Sequence, residues 1–214
     1  MKSVLITGGT VRLGSAIAAR LRAEGWRVIT SSHRADAGAD IVVDLSEPIG
    51  AAKLYAATLQ MLGGMPPDAL VNNAALFTGD EAAIRAVNLE APKKLTVMMA
   101  GREAGLGAVV NILEAKALDG NRLQSTAVDG YRESKRALLA FTRSSAATFA
   151  ATLRVNGVAP GPVLSPTEVH VKAGEMLLDR RPTADDVAAA VSYLLSAESV
   201  TGVVLPVDSG QHLT

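Results

Sequence analysis

Tyr131 and Lys135 lie four residues apart at the start of a helical pattern, and residues at that spacing share a helix face. A cation beside a phenol stabilises the phenolate, bringing proton exchange closer to neutrality than the ~10 of a free tyrosine. That is the chemistry of a general acid in carbonyl or imine reduction. Taken alone, the pair also describes a solvated helix face. A second candidate is the run Val4-Leu5-Ile6-Thr7-Gly8-Gly9-Thr10-Val11-Arg12-Leu13-Gly14. It reads as a buried strand, a glycine turn and a helix start, where free N–H groups and the helix dipole meet an anion. A pyrophosphate fits such a turn, and Arg12 adds a fixed positive charge. No metal site is legible: His33, His170 and His212 are scattered and cysteine is absent, which also excludes disulfides and a thiol nucleophile.

The elements that must position these groups alternate. Strands are expected at residues 2–7, 27–30, 41–43, 69–72, 108–113, 154–157 and 203–207. Helices are expected from the first glycine turn to residue 24, then at 49–62, 89–103, 130–151 and 183–196. Pro92 falls in the first turn of its helix, where proline is tolerated, and Thr183 caps the last. Repeated β-α units imply right-handed crossovers, and short apolar strands imply a parallel sheet buried on both faces. The fold class is therefore α/β: a Rossmann-type doubly wound parallel sheet in one domain over residues 1–214. Ligands in such sheets bind at the carboxyl ends of the strands. The stretches 114–129 and 160–182 receive no element. In the second, Met176, Leu177 and Leu178 either cap a flat substrate or pack a lid.

Composition narrows the partners. The chain has 21 basic and 21 acidic residues and no net charge, which argues against nucleic acid. The longest uncharged run, residues 54–67, is broken by Gly63-Gly64 and Pro66-Pro67 and is too short to span a membrane. A cytoplasmic location is expected, since a strand pattern begins at once with no apolar leader.

Several motifs occur in order: Thr7–Gly14, Asp44-Leu45, Asn72-Asn73-Ala74-Ala75, Asn88, Tyr131-Arg132-Glu133-Ser134-Lys135, Pro160-Gly161 and Val207-Asp208-Ser209-Gly210. In these the chain resembles the short-chain dehydrogenases/reductases over nearly its full length. Ser209 stands where that family usually has glycine. The resemblance implies that Tyr131 is the proton donor. It makes Lys135 the residue that holds the nicotinamide ribose and lowers the Tyr131 pKa, and Asn88 the support of a water relay to Lys135. Gly8, Leu13 and Gly14 would form the phosphate turn. Asp44 and Leu45 would border the adenine, Asn72 and Ala74 would line the nucleotide, and Pro160, Gly161 and Val163 would follow strand six beside it. A homo-oligomer, dimer or tetramer, is implied as well.

Two departures point within the family. Arg12 replaces the middle glycine of the turn, and Glu114 stands where the usual serine follows strand five. Both resemble pteridine reductases and dihydromonapterin reductases. A carboxylate at Glu114 can bond a pterin edge or relay a proton, although it also reads as a surface carboxylate. Glu114 and Tyr131 are separated by an apparent insertion, in which Ser125 is an alternative hydroxyl. At the end of strand two the chain has Ser32-His33-Arg34 with no acid before Asp36. Arg34 and the hydroxyls suit a 2′-phosphate, so NADPH (NADP+) is the expected cofactor. The expected activity is NADPH-dependent reduction of a C=N or C=O bond, first of a dihydropterin. The alternatives are a 3-oxoacyl thioester or small ketone, or a non-catalytic NADPH-binding regulatory role.

Overall fold

The computed structural model describes residues 1–103, 105–118, 129–163 and 176–214. Ser125 and His170 lie outside them. Among the described residues the strands are β1 (Ser3–Thr7), β2 (Arg27–Ser32), β3 (Ile41–Val42), β4 (Ala69–Asn72), β5 (Gly107–Ile112), β6 (Leu153–Pro160) and β7 (Val204–Val207). They form one parallel sheet in the order β3-β2-β1-β4-β5-β6-β7. The order reverses between β1 and β4, the crevice where doubly wound sheets bind their ligands.

Alternation along each strand sends side chains to two cores. Val4 and Ile6 meet Ile17 and Leu21 of α1 (Arg12–Ala23) and Val187, Val191 and Leu194 of α6 (Ala184–Ser196). Leu5, Leu70 and Val109 meet Leu54 of α2 (Gly50–Met61) and Leu95 and Met99 of α4 (Ala91–Ala100). The sheet is buried on both faces, as the uninterrupted apolar strands require. The Thr183 cap forms as expected: its hydroxyl accepts from the Asp186 N–H, and the Asp186 carboxylate accepts from the Thr183 N–H.

The largest difference from the sequence expectation lies before β5. In place of a helix at 89–103 with Pro92 in its first turn, α3 (Glu81–Arg85), a π-helical turn (Ala86–Glu90) and α4 run on continuously. Pro92 therefore sits inside a helix. It has no N–H to give the carbonyl of residue 88, and its ring crowds that carbonyl. The backbone widens into a π turn at that point, with Asn88 at its centre. Two strands also outrun expectation. β2 extends to Ser32 and β6 to Pro160, because ladder pairing with β3 and β7 continues past the apolar stretches. α5 (Asp129–Thr148) carries Tyr131 and Lys135. No helix among the described residues is long and apolar enough to cross a membrane.

Candidate active site

A cleft of about 1000 Å3 opens along the carboxyl ends of the strands. At one end it is walled by the glycine turn. Gly8 takes φ +62°, and a Cβ on Gly14 would lie 2.0 Å from the Gly8 carbonyl oxygen. The α1 backbone thus packs directly on the turn. Arg12 takes φ +51°, left-handed angles that cost a non-glycine residue about 1–2 kcal/mol. Strain of this kind persists where surroundings over-determine it and concentrates at functional sites. The Arg12 carbonyl accepts from the Ser15 hydroxyl at 2.8 Å, which holds the strained turn at the helix start. Asn73 secures the other side: its amide donates to the carbonyls of Thr7 (3.0 Å) and Gly8 (2.9 Å). The Thr7 hydroxyl in turn accepts from the N–H groups of Asn73 and Ala74.

Gly8, Arg12, Leu13, Gly14, Ser32, His33, Arg34, Asp44, Leu45, Ala74, Pro160, Gly161 and Val163 all line the cleft, as do Glu114, Tyr131 and Lys135. Asp44 accepts from the Ser46 hydroxyl (2.7 Å) and N–H (2.8 Å). These bonds, with His33 assisting, hold its carboxyl below the usual range.

Two expected site residues lie elsewhere. Asn72 does not line the cleft. It is buried behind it, donating to Asn111 Oδ1 at 2.8 Å, and Asn111 donates to the Thr142 hydroxyl at 2.9 Å. This chain ties β4 and β5 to α5, because strand alternation turns residue 72 away from the ligand edge. Asn88 is also absent from the lining. Its Oδ1 accepts from the Leu76 N–H, and its Nδ2 donates to the Leu76 carbonyl and the Ser134 hydroxyl. Its amide pins the loop after β4 to the start of α5, and none of these bonds reaches Lys135. The Ser134 hydroxyl donates to the Tyr131 carbonyl at 2.6 Å, so the π turn and the catalytic turn of α5 are one linked unit.

Tyr131 and Lys135 meet as their spacing implies, with the Lys135 Nζ 5.7 Å from the Tyr131 ring centre. Lys135 is buried and donates to the Ile112 carbonyl at 2.7 Å, clamping α5 to the end of β5. Burial lowers its pKa to about 8, against an opposing pull from Glu114. Tyr131 departs from the expected direction. Burial pushes its phenol above the ordinary range, and the Glu114 carboxylate pushes it further. The phenol is thereby held protonated, as a proton donor must be before reaction. Burial also raises Glu114, opposed by the charges of Arg132, Lys135, Lys116 and Arg136. Among the described residues, one Glu114 oxygen is buried with no hydrogen-bond partner, as is the Thr10 hydroxyl on the glycine turn. Buried polar atoms normally have partners, so both mark places where a ligand group would bond.

The depressed lysine makes stability pH-dependent. Lys135 titrates at about 8 when folded and near 10.5 otherwise, so between those values the unfolded chain binds more protons. Stability therefore gains from this group as pH rises across that window, on the order of 3 kcal/mol. Denaturant titration of cofactor-free protein at pH 7.5 and 10, beside Lys135→Met, checks this. Identical pH slopes in the two proteins would refute it.

Phe77 is a site residue the sequence reading missed. It lines the cleft, is largely exposed, and meets the Tyr131 ring edge-on with ring centres 4.9 Å apart. Its signal was available: an aromatic five residues past β4, at the ligand edge, in a chain with only three phenylalanines.

The glycine turn, the orphaned Thr10 hydroxyl and the basic end of β2 fit a dinucleotide with phosphate groups. A family model described as enoyl-(acyl carrier protein) reductase matches residues 11–212. Protein FixR of Bradyrhizobium diazoefficiens is 31% identical, over 99% of this chain and 87% of the relative. Pteridine reductase 1 of Leishmania tarentolae is 28% identical, over 98% and 96%. The crystal structure of FolM alternative dihydrofolate reductase 1 from Brucella canis, complexed with NADP, superposes with a TM-score of 0.87 at 30% identity. That match covers 100% of this chain and 95% of the other. With the sheet order, the glycine turn and the Tyr131–Lys135 pair, these matches establish that the chain belongs to the short-chain dehydrogenase/reductase family of oxidoreductases.

Proposed function

We propose that this protein is an NADPH-dependent reductase of a dihydropterin or closely related pteridine. The observation that carries the reading is Glu114: a partly buried carboxylate on the cleft beside Tyr131, with one oxygen unpartnered among the described residues. A ketone oxygen needs a hydrogen-bond donor there. An amino-pyrimidine edge offers N–H donors and needs an acceptor, which a carboxylate supplies. Phe77 supports the same substrate, since its exposed ring gives the cleft a flat apolar wall. The similarity to a pteridine reductase and to FolM agrees in substrate class.

The residues that would hold the cofactor are the backbone of Gly8–Gly14, Arg12, the Ser32-His33-Arg34 edge, Asp44-Leu45, Ala74, Lys135 and the Pro160–Val163 segment. When bound, the nicotinamide supplies hydride. Tyr131 supplies the proton from its phenol oxygen. Lys135, fixed on the Ile112 carbonyl, places a positive charge beside the phenolate that results. Glu114 orients the ring, and Phe77 and the apolar β5 end exclude water from one face.

The test follows NADPH oxidation with a dihydropterin panel and a keto-thioester side by side, in the parent and in Glu114→Ala. A hydrogen bond to a charged group contributes about 1.5–3 kcal/mol. The dihydropterin kcat/KM is therefore expected to fall roughly 10- to 150-fold in the variant. Turnover of the keto-thioester alone would replace this reading with a carbonyl reductase. NADPH binding without turnover on any substrate would replace it with a cofactor-sensing role.

A further inference from the structure

The carboxyl end of β2 carries a feature that phosphate recognition does not require. The Arg34 N–H donates to the Ser32 hydroxyl at 3.0 Å, which turns the chain out of the strand. A single 3-10 turn, Ala35–Ala37, follows and closes at Gly38 with φ +65°. That turn lays Asp36 alongside Arg34. The guanidinium Nε donates to one Asp36 oxygen at 3.0 Å and Nη2 to the other at 2.8 Å. Both side chains are exposed. Ser31, Ser32, His33, Arg34 and Ala37 line the cleft, with Asp36 between the last two in sequence but not itself in the lining.

A guanidinium presents its donors in a planar fork, and one bidentate edge of this fork is already taken. An incoming phosphate must use the remaining edge with a carboxylate close by, or displace that carboxylate. Either way a negative charge opposes a dianion at the point of recognition. A ribose carrying a free 2′-hydroxyl meets the opposite situation, because Asp36 can accept its hydrogen bond. We propose that Asp36 is a specificity-determining residue for the cofactor. By competing for Arg34 it weakens the grip on a 2′-phosphate and narrows the preference for NADPH over NADH. The proposal rests on the cofactor placement given under the proposed function.

The experiment measures the Kd of NADPH and NADH by fluorescence titration at low salt. The proteins are the parent, Asp36→Asn, Arg34→Ala and the double variant. Asp36→Asn is expected to bind NADPH about three- to tenfold more tightly, the scale of one unit charge a few ångströms away near a surface. NADH affinity stays level or falls, and the gain disappears in the Arg34→Ala background, since Asp36 acts through that guanidinium. Raising the salt should shrink the effect through screening. Weaker NADPH binding by Asp36→Asn would overturn the proposal and make Asp36 an aligner of Arg34. Equal gains for both cofactors would overturn it too. If Arg34→Ala binds NADPH as the parent does, the phosphate does not sit at β2 and the underlying placement fails.

Discussion

Tyr131→Phe is expected to lower turnover of the reducible substrate by about 10²–10⁴-fold, the usual contribution of a positioned general acid. The ring that remains keeps its edge-on contact with Phe77, and among the described residues the phenol oxygen is not part of the hydrogen-bonded frame of α5. Folding and NADPH affinity should therefore survive, with the loss in kcat. Stopped-flow NADPH oxidation with separate binding titrations checks this; a loss under tenfold would remove Tyr131 from the chemistry. The pH profile sharpens the test. Burial and Glu114 hold the phenol above its ordinary range, while Lys135 titrates at about 8. Above that value the lysine loses the charge that stabilises the developing phenolate. The parent's activity should decline through pH 8, before the phenol itself ionises.

Gly14→Ala should damage the protein as severely, for a packing reason. The added Cβ would lie 2.0 Å from the Gly8 carbonyl oxygen and 2.7 Å from the Asn73 amide nitrogen. Neither belongs to a flexible side-chain end that can move aside. Asn73 is fixed by its bonds to Thr7 and Gly8, and Gly8 is main chain. Helix α1 must then move off the turn, at a cost of about 3 kcal/mol or more, and the phosphate cradle opens with it. NADPH affinity is expected to fall at least about tenfold. Gly101→Ala is the control: its nearest contact would be 3.6 Å from the Met98 carbonyl oxygen, and its stability should stay within ~0.5 kcal/mol of the parent. Thermal melts with and without NADPH separate the two variants, and equal behaviour would refute the packing argument.

The π turn shows how a catalytic helix is held from outside itself. Pro92 removes one helical bond, the backbone widens at Asn88, and the Asn88 amide bridges the loop at Leu76 to Ser134. Ser134 stands between Tyr131 and Lys135 in sequence and bonds the Tyr131 carbonyl. The Asn72–Asn111–Thr142 chain repeats this further along α5. Asn72, expected to line the nucleotide, and Asn88, expected to support a water relay to Lys135, thus both serve the frame that aims Tyr131 and Lys135.

Much of this was decided locally. Alternating apolar strands and amphipathic helices specified the sheet, since each pattern buries its apolar face in only one way. The glycine turn, the i,i+4 pair and the acid-free end of β2 named residues at both ends of the cleft, because their spacing is covalent. What depended on residues distant in sequence was not legible. The raised Tyr131 pKa comes from burial and from Glu114 on another element. The positions of Asn72 and Asn88 depend on strand alternation and on a helix that a proline widened instead of ending. Burial, charge proximity and backbone register are properties of the assembled chain, and there the tertiary structure, not the sequence pattern, decided the site.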